Sequence, residues 1–165
     1  MHKVDSLGYP VGRGRDDLDM GAFLNVRITR TAARLSVLFQ REALRPNNLS
    51  LQEWRVLLNL AKLGNCHLRE LSRISTVDPS HASRVTKALE ERNLIRRFPD
   101  ADDSRRMRLT VTVEGHAMID QIWPIAIDLS ARIEREVGVS DIAAMIRALD
   151  GVRSFANTAI QNDEP

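Results

Sequence analysis

Apolar residues recur at intervals of three and four along most of this chain and change to every second position only once, between residues 94 and 112. The first long-period stretch starts at Met20, where Phe23, Leu24, Ile28, Thr31, Leu35, Leu38 and Phe39 mark one side of a long helix that ends before Pro46. Ser50 and Glu53 then form a capping box ahead of Trp54, Val56, Leu57, Leu60, Ala61 and Leu63, and Gly64 supplies the stop. A short third helix fits Leu68 to Ile74, with Leu68 and Leu71 inward. A turn at Ser75 to Val77 separates it from a fourth helix.

That fourth stretch, Asp78 to Asn93, is the best marked of all. Asp78 is a good N-cap acceptor for the amides of Ser80 or His81, and Pro79 fits the first helical position, where a missing N–H is harmless. Asn93 tolerates the left-handed backbone that ends a helix. With about 100° between successive residues, Ala82, Val85, Thr86 and Leu89 share the side facing a core, while Ser80, Ser83, Arg84 and Lys87 gather opposite. Short hydroxyls at the first turn with cations behind them can approach base edges and pair with phosphates. On its own the same face also reads as an ordinary solvated surface, and the next segment decides between the two.

Leu94 to Pro99 and Arg106 to Thr112 read as two strands joined by the polar turn DADDS, with Met107, Leu109 and Val111 alternating against Arg106, Arg108 and Thr110. The hairpin carries Arg96, Arg97, Arg105, Arg106 and Arg108 beside the fourth helix. Helix, short turn, capped helix and basic hairpin make a winged helix-turn-helix. An arginine at the hairpin tip suits a narrow minor groove, where the potential is most negative, while the helix occupies the major groove.

Thr112 is placed to cap a long helix from Val113 to about Val137, with Pro124 inside it as an expected kink. Ser140 is then expected to cap a last helix carrying Ile142, Met145, Ile146, Leu149, Val152, Phe155 and Ile160 inward. The expected fold is mainly α with a small β-hairpin wing. A flexible arm at 1–19, with Gly8, Pro10, Gly12 and Gly14, precedes it. Residues 48–113 form the DNA-binding domain, and 20–47 with 114–162 form a helical dimerisation region. The first helix and the last two have apolar stripes wider than the winged domain can cover, so a second copy of the chain is the expected partner. Such a homodimer sets two recognition helices roughly 34 Å apart on double-stranded DNA, which calls for a pseudo-palindromic site.

Composition narrows the function rather than the fold. At 165 residues and 43% hydrophobic the chain suits one compact domain with helical extensions. No apolar run approaches the about 20 residues of a membrane span, and no secretory leader is evident, so the cytoplasm is the expected compartment. Net charge is only +2, but Met1 to Val77 carries 12 basic and 7 acidic residues, Asp78 to Arg108 carries 8 and 6, and Leu109 to Pro165 carries 4 and 9. Positive charge therefore collects where the DNA-binding elements lie, and nearly all of it is arginine, which suits bidentate phosphate and guanine contacts. The lone Cys66 excludes an internal disulfide and a multi-cysteine zinc site. His2, His67, His81 and His116 form no metal-binding pair, and there is no phosphate loop or nucleophile elbow. No enzyme and no cofactor are expected.

The segments LSLQEWRVLLNLAKLG, DPSHASRVTKALEERNLIRR and DADDSRRMRLTVTVEG occur in the order and spacing of the MarR (multiple antibiotic resistance regulator) family of bacterial winged-helix repressors, which the chain resembles from about Phe23 to Ile160. The resemblance implies that Pro79, Ser80, His81, Ser83, Arg84 and Lys87 meet the major groove and its phosphates. It also implies that Asp103 and Arg105 form the family's wing pair, the arginine reaching the minor groove and the aspartate holding the tip. Arg106 beside them joins the expected DNA contacts. A small aromatic or phenolic effector is implied in a cleft to which Arg34, Trp54 and Arg55 would contribute; Trp54 reads first as a core residue. Thr76 stands where the family commonly has glycine, His67 where a Ser or Thr cap is usual, and Asn93 replaces a glycine. The family's hydroperoxide-sensing branch uses a cysteine near the start of the first helix, and none is present here. The expected function is a homodimeric, ligand-released repressor. A regulator switched through Cys66 and a winged-helix module for protein association are the rivals.

Overall fold

The computed structural model describes residues 23–75, 78–103 and 106–162. Among the described residues six α-helices run in chain order: α1 Leu24–Phe39, α2 Leu51–Leu63, α3 Leu68–Ser75, α4 Pro79–Glu91, α5 Val113–Val137 and α6 Val139–Asn162. Three strands, β1 Asn65–His67, β2 Ile95–Pro99 and β3 Met107–Val111, form an antiparallel sheet in the order β1-β3-β2. Chain contacts divide the molecule into two compact units, one ending at Ile119 and the other beginning at Asp120.

Local chemistry accounts for most element ends. At α2, the Glu53 amide donates to Ser50 Oγ at 3.2 Å and the Ser50 amide donates to Glu53 Oε2 at 2.7 Å, so the capping box is complete. At α4, the His81 amide donates to Asp78 Oδ1 at 2.9 Å. Asn93 takes φ 56° at the far end of α4, where the amides of Leu94 and Asn93 donate to the carbonyls of Leu89 and Glu90, both at 2.9 Å. This is the Schellman closure, and asparagine is the residue after glycine that best tolerates it. Thr112 Oγ1 donates to the Asn93 carbonyl at 2.6 Å and accepts the Gly115 amide at 3.0 Å, so one hydroxyl ties the end of α4 to the start of α5.

Trp54, Val56, Leu57 and Leu60 of α2, Leu71 of α3, and Ala82, Val85 and Leu89 of α4 are buried with Ile95, Leu109 and Val111 of the sheet. Each large aliphatic side chain in this set contributes about 1.5–3 kcal/mol by leaving water. The core therefore fixes how α4 is presented.

The structure departs from the sequence reading at three places. Strand β1 was not expected; Cys66 pairs with Leu109 of β3, and His67 closes the strand instead of capping α3. The end of α1 widens into a π-helical stretch, Gln40–Leu44, and a 3₁₀ turn, Arg45–Asn47, before a left-handed Asn48. Helix α6 starts at Val139 after a left-handed Gly138, which puts Ser140 inside the helix rather than at its cap. The stripe of α1 contains no buried residue, and α6 buries only Ile142. The expected start of the first helix at Met20, the N-terminal arm and Thr76 lie outside the described residues.

Candidate nucleic-acid interface

Helix α4 turns Ala82, Val85, Thr86 and Leu89 into the core and leaves Ser80, Arg84 and Lys87 exposed, with His81 and Ser83 half-buried at the edge. Pro79 is the first residue of the helix. The Asp78 carboxyl is held below the usual carboxylate range, chiefly by the amide of His81, so the cap is an anion across the neutral range. Arg84 reaches toward His81 Nδ1 at 3.5 Å, and Lys87 lies 3.8 Å from Glu91 one turn on. Pairs this exposed are weak, so both cations remain available to a partner.

Thr86 anchors the underside of this helix. It is fully buried, and its hydroxyl sits 2.9 Å from the Ala82 carbonyl and accepts from Arg97 of β2 at 3.0 Å. The Arg97 guanidinium also pairs with Glu90 at 3.0 Å. At the C-terminal end of α4, Arg92 donates to the carbonyls of Asn48 and Asn47 at 2.7 and 3.2 Å.

The arginines of the hairpin therefore divide by role. Arg97 is spent on α4. Arg108 donates to Asp100 Oδ2 at 3.1 Å and to Asn65 Oδ1 at 2.7 Å, which binds β3 to β1 and to the tip. Arg96 lies over the Phe98 ring, 5.7 Å from its centroid, with its charge exposed. Arg106 is exposed, and its amide donates to the Asp103 carbonyl at 2.9 Å within the turn. Arg105 lies outside the described residues. Of the four hairpin arginines among the described residues, two serve the protein itself.

Asp100, which sequence reasoning did not single out, organises the base of the tip. Its Oδ1 accepts the Asp102 amide at 2.9 Å, while its Oδ2 faces both Arg108 and His67 Nε2 at 3.1 Å. The signal was present: an aspartate accepting from the amide two residues on is the usual start of a tight turn, and Asp100 opens the D-A-D-D run. The Asp102 amide and the Arg108 guanidinium hold its carboxyl below the usual carboxylate range. Because the folded value is the lower one, the carboxylate stabilises the fold fully above about pH 4. That contribution is lost as pH falls through the depressed value. Asp100→Asn should flatten the acid limb of a pH–melting curve while lowering Tm at neutral pH; parallel curves for the variant and the parent would refute this role.

Cys66 is 1% exposed within β1, and burial pushes its thiol up to about 11, with Glu70 adding to the effect. The nucleophilic thiolate is therefore scarce at neutral pH, on the order of a hundredfold below an ordinary cysteine. We expect alkylation of the folded protein by iodoacetamide to be slow by that order and to become fast on denaturation. Equal rates in both states would restore the thiol-switch reading.

For the expected effector site, Trp54 is 4% exposed and packs against Phe39, with ring centroids 6.0 Å apart at 52°. Arg55 and Arg34 are exposed on α2 and α1. The geometry thus puts Trp54 in the core in this conformation.

A capped helix offering hydroxyls and cations, backed by a buried anchor and flanked by an arginine-bearing hairpin, defines a winged helix-turn-helix DNA-binding protein. The MarR family model matches residues 49–107 of the chain. The HTH-type transcriptional regulator YxaD of Bacillus subtilis is 30% identical over 105 residues, 64% of this chain and 69% of that regulator. Curated relatives are matched over 56% to 84% of their own lengths. Among solved structures, the C80S mutant of Escherichia coli MarR complexed with operator DNA superposes with a TM-score of 0.73 at 20% identity, over 82% of this chain and 98% of that one. The Bordetella bronchiseptica BpsR structure, concerned with regulation of DNA binding by 6-hydroxynicotinic acid, superposes at 0.72 with 19% identity, over 86% and 97%. The chain belongs to the MarR family and is a transcriptional regulator, not an enzyme. Among the described residues no helix is long and apolar enough to cross a membrane.

Proposed function

We propose that the chain acts in the cytoplasm as a homodimeric repressor that binds a pseudo-palindromic operator and releases it when a small aromatic acid or phenolic compound binds. The observation that carries this reading is the exposed face of α4, where Ser80, Ser83, Arg84 and Lys87 stand on a helix whose opposite side is locked into the core. Pro79 and His81 complete the reading surface at its N-terminal turn, while Asp103, Arg105 and Arg106 supply the wing. Dimerisation is supported by the apolar side chains left open on α1, α5 and α6, Trp123 and Phe155 among them. Such side chains are too many for a solvated surface.

The effector half of the proposal leans on BpsR and on the exposed Arg34 and Arg55, which suit an acidic ligand. A ligand need only bind better to a dimer whose recognition helices are mis-spaced for the operator; a tenfold preference is worth about 1.4 kcal/mol per site.

Selection of genomic fragments by the purified protein at ~150 mM salt tests the DNA half directly. A pseudo-palindrome with half-sites one turn apart is the expected result. Arg84→Ala should then cost ~1–3 kcal/mol on that site and relax specificity at one position. Absence of any enriched sequence, with Arg84→Ala indistinguishable from the parent, would instead favour a protein partner for this face.

A further inference from the structure

An open groove of about 620 Å³ lies between α3 and the hairpin, lined by His67, Arg69, Glu70, Ser72, Arg73 and Arg106. Three of these six side chains are arginines. None of the three guanidiniums makes an ion pair or side-chain hydrogen bond among the described residues, in contrast to Arg97 and Arg108, which are paired a few residues away. Of the three aspartates in the tip, Asp100 is already taken by Arg108 and His67. His67 offers no spare donor either, since its Nδ1 faces the Met107 carbonyl at 3.2 Å and its Nε2 faces Asp100. Among the described residues of the lining, Glu70 is the only acidic one.

Unpaired positive charge is therefore concentrated in a concave place. Arg69 and Arg73 stand one helical turn apart on α3, a like-charge spacing that weakens an isolated helix, so their pairing does nothing for the stability of α3. Guanidiniums from two elements facing one groove match the planar, bidentate demands of a phosphate or carboxylate.

We propose that this groove is an oxyanion site, separate from the reading face of α4, in which Arg69, Arg73 and Arg106 hold a phosphate-type group. Resting on the regulator reading above, it adds α3 to the DNA-contacting surface if the phosphate belongs to the duplex backbone. The same chemistry accepts free inorganic phosphate, and the two sources separate in experiment. Glu70 tempers the site and sets its selectivity against weakly charged anions.

The test uses the full chain with Arg69→Gln/Arg73→Gln and, as an opposite change, Glu70→Gln. All three positions are exposed and glutamine is a good helix former, so folding should be unaffected, and circular dichroism checks this. Binding to the selected operator and to an unrelated duplex is measured across a salt series. In parallel, the melting temperature of the free protein is followed as inorganic phosphate replaces chloride at constant ionic strength.

If the groove holds backbone phosphate, the double variant loses affinity equally on both duplexes and its salt slope falls by about one per lost contact, while Glu70→Gln strengthens both. If it holds free anion, phosphate raises Tm in the parent, more so in Glu70→Gln, and not in the double variant. Either result supports the site. Unchanged salt slopes together with an unchanged phosphate response in every variant would overturn it. Should the parent bind no duplex at all, the regulator reading fails, and the phosphate titration decides the groove alone.

Discussion

Gly115→Ala is expected to lower the melting temperature by roughly 6–12 °C, the equivalent of about 3 kcal/mol in a chain of this size. Gly115 is buried in the first turn of α5, where its amide bonds Thr112 Oγ1. A methyl group there would run into the carbonyl oxygen of Leu94 and come within 2.6 Å of Val111 Cγ1. The first obstacle is backbone, which cannot rotate aside as a side chain can. Relief would require α5 to lift from the hairpin base, breaking the bonds from Thr112 to Asn93 and Leu94. Thermal denaturation of the purified variant measures the loss directly. An unchanged melting temperature would show that the first turn of α5 can shift without disturbing the hairpin.

The second large effect concerns assembly. Among the described residues Ile146 and Phe155 of α6 stand out as apolar side chains that are 53% and 76% exposed. If α6 packs against a second copy, Ile146→Glu/Phe155→Glu would bury carboxylates without cations to match them, which costs several kcal/mol. Sedimentation should then report a monomer. Affinity for the full operator should fall by about 10² to 10⁴, because linking two half-sites multiplies affinity by that order. Affinity for an isolated half-site should stay the same, since α4 is untouched. A dimer that survives both substitutions with full operator affinity would remove α6 from the interface.

Which features the sequence disclosed depends on how far apart in the chain the interacting groups lie. Ser50 with Glu53, Asp78 with His81, and Thr112 with Gly115 each act over three residues, so the starts of α2, α4 and α5 were readable, whereas that of α6, set by Gly138 rather than by Ser140, was not. The division of α4 into a buried and an exposed side was readable too, because periodicity states it directly. Strand β1 was not, since three residues carry no period and its partner lies some forty positions away on β3. The hairpin arginines shared this limit. Arg96, Arg97, Arg106 and Arg108 are identical letters, and only the tertiary positions of Thr86, Glu90 and Asp100 separate the two that brace the protein from those left for a ligand. The α3 groove was hidden for the same reason, being assembled from residues as distant as Arg69 and Arg106.

The closure at Thr112 makes the tip of the wing a replaceable part. The Thr112 hydroxyl and amide meet the Asn93 and Leu94 carbonyls at 2.6 and 3.1 Å, so the chain leaves and rejoins the helical frame at one point. The strands beyond that clasp are held to the frame by Ile95, Leu109, Val111 and Arg97, so only the turn between Asp100 and Met107 can change in length with little consequence, since doubling a flexible loop costs only about 0.6 kcal/mol. Longer or shorter turns can thus be carried at this place while the exposed face of α4 keeps its setting.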